Sequence, residues 1–114
     1  MPTPIYKIFR PAEWDALQTA GTTLGAPVDL ADGYIHFSGP DTLGETLRKW
    51  FADAGTVVIA QVDADALDDL RWEPSRGGAL FPHLYGALDL SRITRHWTVE
   101  PEADGSHTLP GDIA

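Results

Sequence analysis

Val57-Val58-Ile59-Ala60-Gln61-Val62 is an almost continuous apolar run, too short for a helix and closed off by Ala54-Gly55 before it and Asp63 after it. A run of this length without alternation predicts a buried central strand, covered on both faces. The sequence on either side of it sets the fold class.

Upstream, Leu43, Leu47, Trp50 and Phe51 recur at i, i+4, i+7 and i+8 behind Ser38-Gly39-Pro40-Asp41, a capping-box pattern, and predict an amphipathic helix. Before it, Tyr34-Ile35-His36-Phe37-Ser38 follows the Asp32-Gly33 turn signal and predicts a strand with Tyr34, His36 and Ser38 on one face. Thr22 to Ala31 has no clear period and predicts a loop. Pro11 at a first helical position, Trp14 and Leu17 at i and i+3, and Gly21 as a stop predict a helix over about 11–20. Ile5 to Phe9 predicts the first strand.

Downstream the alternation ends. One helical turn and a short strand after Asp63, then Leu80 to Tyr85, Ala87 to Leu90 and Ile93 to Val99, predict further strands with no intervening helix. That order gives an α+β domain with two main helices, not a doubly wound fold. The domain is predicted over residues 1–100, and the Gly- and Pro-containing segment 101–114 is predicted to be a flexible tail.

The chain has 114 residues, which suits a single core, and no cysteine, which excludes thiolate metal sites and Cys nucleophiles. Seventeen Asp and Glu face eight scattered Lys and Arg, a formal charge of −9, so no extended nucleic-acid surface is predicted. No run reaches membrane-spanning length, and the N-terminus lacks a signal-peptide layout, so a cytoplasmic location is the expectation. Oligomeric state is not legible.

The densest cluster of reactive and turn-forming residues runs from Arg71 to Gly86. It contains Glu73, Arg76, the diglycine Gly77-Gly78, His83 and Tyr85. Glycines let backbone approach a ligand, an Arg forks onto carboxylate or phosphate, and His titrates near neutrality. A solvated loop would account for the glycines equally well. His36, in a strand between apolar neighbours, needs a partner or a ligand, and satisfied structural histidines are the commoner case. No metal-ligand spacing joins His36, His83 and His96. Asp63-Ala64-Asp65 lacks the Gly and Glu of a calcium loop, and no G-x-S-x-G surrounds Ser38 or Ser75.

Ile5-Tyr6-Lys7-Ile8, Trp14, Asp32 to Ser38, Leu70-Arg71-Trp72-Glu73 and Ser75 to Gly86 together resemble the bacterial domain-of-unknown-function family 952, over residues 4 to 99. The resemblance implies an ADP-ribosyltransferase-like fold, a split pair of small β-sheets with a cleft for NAD. It implies Lys7 at the first motif of that superfamily, Tyr34, His36 and Ser38 at the second, and His83 where the third carries Glu. Lys7 and Arg76 would face phosphates. His36 and His83 would face ribose or the leaving group, with Glu73 as a substitute carboxylate. Arg71, Gly77, Gly78 and Tyr85 would complete the binding surface. A neutral His offers no negative charge to a sugar cation, so the third position weakens the implied glycosyl transfer. The expectation is a site for a small anionic nucleotide-like ligand, with NAD as candidate substrate. The alternative is a non-catalytic metabolite- or protein-binding module that retained the fold.

Overall fold

The computed structural model describes residues 3–74, 78–111 and 113. Val57–Asp63 (β4) is the middle strand of a three-stranded antiparallel sheet, between Pro4–Phe9 (β1) and Ile93–Val99 (β8). The run is apolar except at half-buried Gln61 because both faces are covered. Val58, Ala60 and Val62 turn to one core with Ile5 and Phe9 of β1. Val57 and Ile59 turn to a second with Tyr6 and Ile8. The first core is closed by Trp14 and Leu17 of helix α1 (Pro11–Ala20), the second by Leu43 and Leu47 of helix α3 (Leu43–Trp50).

A second three-stranded antiparallel sheet has Leu80–Leu84 (β6) in the middle, between Ile35–His36 (β3) and Leu70–Pro74 (β5). The two sheets are stitched at one place, where Tyr6 and Ser38 exchange backbone hydrogen bonds, each 2.8 Å. A two-stranded ribbon, Thr22–Thr23 (β2) with Leu88–Asp89 (β7), completes the strands. The domain is thus a small mixed α/β fold with antiparallel sheets and few helices. No helix among the described residues is long and apolar enough to cross a membrane.

Three expectations are corrected. The predicted loop 22–31 contains β2 and a third helix, α2 (Pro27–Asp32), which opens with Pro27 in its first turn and stops at Gly33 in the left-handed region, φ 87°. Ser38 does not cap α3. Its N–H and C=O are both committed to Tyr6, so it ends a strand path, and the helix begins at Leu43. Trp50, placed by periodicity on the apolar face of α3, is 57% exposed, while Phe51 packs on the second core.

The segment after Glu100, predicted as a tail, folds back onto the second core. Leu109 and Ile113 pack on it, the His107 Nε2 lies 2.6 Å from the Gly55 carbonyl, and the Asp53 N–H donates to the Gly105 carbonyl. Its few apolar residues are spaced to reach that surface. Asp63, considered above for calcium, instead accepts from the Thr3 and Asp65 N–H groups through Oδ1.

Candidate functional site

His36 and His83 are cross-strand partners in the β3–β6 pairing, and Arg71 of β5 is the next residue in the same row. Residues directly opposite in an antiparallel ladder project to the same face. The two imidazoles therefore meet, with ring centroids 5.3 Å apart at an edge-on angle. The Tyr34 ring sits against both, 4.7 Å from His36 and 4.2 Å from His83, and 5.1 Å from the Tyr85 ring.

Each imidazole is held by a carboxylate at Nδ1. For His83 it is Glu73, with Oε1 at 2.9 Å, and the same oxygen accepts from the Tyr85 hydroxyl at 2.6 Å. The Tyr85 bond, then the His83 bond, hold the Glu73 carboxyl below its ordinary range, and the Tyr85 hydroxyl is raised in return by its bond to Glu73. An ionised carboxylate only accepts, so His83 Nδ1 is the donor, and Nε2 has no protein partner among the described residues.

For His36 the carboxylate is Asp29, with Oδ1 2.6 Å from Nδ1 and 3.2 Å from the His36 N–H. Asp29 is 1% exposed. Its Oδ2 accepts from Lys7 Nζ at 2.8 Å and from the Ala26 N–H at 2.8 Å. Burial alone would raise its pKa. The bond from His36, the charge and bond of Lys7 and the Ala26 amide outweigh it and hold the carboxyl at about 2. The other imidazole nitrogen of His36, Nε2, lies 3.1 Å from Asp32 Oδ2.

Helix α2 exists to place these acids. Asp29 stands two residues after Pro27, where its carboxylate reaches back to the Ala26 N–H in the manner of an N-terminal cap, while Asp32 ends the helix on the cleft side. Gly25 makes room: at φ 107°, a Cβ there would come within 2.5 Å of the Asp29 side chain.

These groups line one cleft of about 790 Å³ where the two sheets part. Lys7, Asp29, Asp32, Tyr34, His36 and His83 are among its polar lining, and Val28, Phe37, Trp50 and Phe51 among its apolar lining. Arg10 borders it with its guanidinium over the Phe51 ring, 4.9 Å from the centroid.

Of the residues singled out from the sequence, Lys7, Tyr34, Ser38, His36 and His83 all line this cleft. The Lys7 ammonium, however, is 6% exposed and bound to Asp29, and the Ser38 hydroxyl is paired with Thr46 at 2.9 Å. Glu73 and Tyr85 stand behind His83. Arg71 lies over the Tyr85 ring at 5.3 Å, outside the cleft lining. Gly78 has φ 80° and is also apart from it, while Arg76 and Gly77 lie outside the described residues. His96, weighed as a metal ligand, stacks instead on Trp14 at 4.8 Å. Among the described residues no group of three or more His, Cys, Asp or Glu is disposed to hold a metal ion. Sequence reasoning missed Asp29 and Asp32. The signal was Pro27-Val28-Asp29, a first-turn proline followed by an acid in the same turn.

A family model described as a protein of unknown function (DUF952) matches residues 8–96. The crystal structure of protein CC0527 from Caulobacter crescentus is similar at 48% identity, covering 94% of this chain and 95% of that one, with a TM-score of 0.90. The solution NMR structure of CC0527 is similar at a TM-score of 0.81, over 90% of each chain. No curated protein matches.

Proposed function

The chain belongs to the DUF952 family, and from that footing we propose that its cleft is a nucleotide site of the ADP-ribosyltransferase type, taking NAD or an ADP-ribosyl group. The observation that carries this reading is the convergence of Lys7 from β1, His36 from β3 and His83 from β6 on one cleft between two small sheets. By the resemblance given above, these would be the three motif positions of that superfamily. Tyr34 lines the cleft beside both imidazoles, and the cleft is of a size for a small organic ligand.

Binding, without ADP-ribosyl transfer, is the function this arrangement favours. Transfer passes through a sugar cation that needs an exposed negative charge beside it. The carboxylates beside the histidines are each paired, Asp32, with its side chain 46% exposed, lying 3.1 Å from His36 Nε2. Asp29 is buried against Lys7 and His36, and Glu73 is turned to His83 Nδ1 and the Tyr85 hydroxyl. Calorimetric titration with NAD and with ADP-ribose tests the reading. Saturable binding of either, lost in His36→Ala and His83→Ala, is the expected result. Absence of heat and of thermal stabilisation with both ligands at millimolar concentration contradicts it, because a ligand at 100 times its Kd adds roughly 2.7 kcal/mol.

A further inference from the structure

The two imidazoles are held in opposite ways. His83 donates through Nδ1 to Glu73 and leaves Nε2 without a protein partner among the described residues, the arrangement of a base. His36 lies between two carboxylates, Asp29 at Nδ1 and Asp32 at Nε2, the arrangement of an acid. Neighbouring titratable groups held in opposing environments are the mark of an acid–base pair. The rings are 5.3 Å apart on one face of one sheet, and both line the cleft.

The surroundings restrict the chemistry. There is no cysteine in the chain, the Ser38 hydroxyl is buried and bonded to Thr46, and no metal-holding group occurs among the described residues. With no cysteine and no free serine hydroxyl at the cleft, the nucleophile is water or a hydroxyl of the substrate itself. Asp29 and Glu73 face Nδ1 nitrogens and Lys7 is held by Asp29, so what the cleft offers a reacting centre is imidazole together with the Arg10 guanidinium, with the Asp32 and Glu13 carboxylates also on its lining. The imidazoles and Arg10 suit a transition state gaining negative charge, as in phosphoryl transfer.

We propose that His83 and His36 act as general base and general acid in metal-free cleavage of a ribose phosphodiester by its own neighbouring hydroxyl. This rests on the reading of the cleft as a nucleotide site. His83 Nε2 takes the proton of the 2′-hydroxyl as the 2′-oxygen bonds to phosphorus. The bond from phosphorus to the leaving 5′-oxygen breaks, and that oxygen takes the proton from His36 Nε2. The products are a 2′,3′-cyclic phosphate and an alcohol, with no net oxidation and no co-reactant. Asp32, whose side chain is 46% exposed, swings aside to open His36 Nε2, while Asp29 keeps Nδ1.

The test incubates the protein with adenylyl-(3′→5′)-adenosine in EDTA, beside its 2′-deoxy analogue. The expected result is adenosine 2′,3′-cyclic phosphate from the first and no reaction of the second. His36→Ala and His83→Ala should each lower the rate at least about 100-fold, with unchanged circular dichroism. His83→Gln, which keeps a polar side chain at that position, should lose the same activity. The rate should be bell-shaped between about pH 5 and 8. The groups facing the pair from neighbouring elements are Asp29 and Asp32 of α2 and Glu73 and Arg71 of β5, with Tyr34 and Tyr85 beside the rings. Equal cleavage by wild type and the double His36→Ala/His83→Ala variant overturns the proposal, as does activity that EDTA abolishes. Absence of cyclic product from a protein that binds ADP-ribose by calorimetry overturns the acid–base assignment alone. Absence of both product and binding overturns the nucleotide reading as well.

Discussion

Asp29 is the residue on which most of the site hangs. An ionised carboxylate with 1% exposure is tolerable only because Lys7, the Ala26 amide and His36 surround it. Its folded pKa of about 2 lies below the unfolded value of 3.8. It therefore contributes stability that is fully present above about pH 4 and is lost as the pH falls through 2, on the order of 2 kcal/mol. Urea unfolding at pH 6, 4 and 2.5 should show this loss in the wild type and a smaller one in Asp29→Asn; equal acid limbs would contradict it. Removing the partner instead, Lys7→Met leaves the buried carboxylate uncompensated and should cost about 3–5 kcal/mol in the same assay at pH 7. Gly25→Ala is harmful twice over, in a backbone conformation that side chains avoid and against the Asp29 side chain. A loss of roughly 1–3 kcal/mol is expected, with weaker binding of whatever ligand the cleft holds. A neutral effect of Gly25→Ala on both would show that α2 is not held by this contact.

At the scale of elements, the longer pieces announce themselves and the short ones do not. β4 is legible because a run of six residues interrupted only by Gln61 is otherwise apolar and too short for a helix, and α1 because Pro11, Trp14, Leu17 and Gly21 mark its start, face and end. α2 is six residues long, less than two turns, so it shows no hydrophobic period, and its stability comes from Asp29 packing back on β1 and β3. β2 and β7 are two residues each and exist only because they pair with one another. The histidines could be suspected from their strands, but their meeting depends on the β3–β6 register, which no local pattern specifies. The role of 101–114 was obscured by its turn residues, since Leu109 and Ile113 acquire a face only once α3 and β8 are in place. Ending the chain at Glu100 should strip that cover and lower the midpoint of thermal unfolding, and an unchanged midpoint would mean the segment adds nothing. Leu47→Ala, on the same core, should cost about 2–5 kcal/mol in urea unfolding.

For the whole molecule, two three-stranded sheets touch at one backbone bridge, and the space where they part is where the polar side chains collect. An acidic protein thus holds one confined place where Lys7, Arg10 and two histidines offset the carboxylates beside them. The chain supplies its own probes of that claim, since it has four histidines, two in the cleft and two elsewhere: His96 is stacked on Trp14 and His107 is bonded to Gly55. The most direct measurement is the NMR spectrum of the imidazole side chains during titration with ADP-ribose. A nucleotide site between the sheets predicts saturable shifts at His36 and His83 while His96 and His107 stay in place. Resonances that do not move, or that move only at His96 and His107, would contradict it.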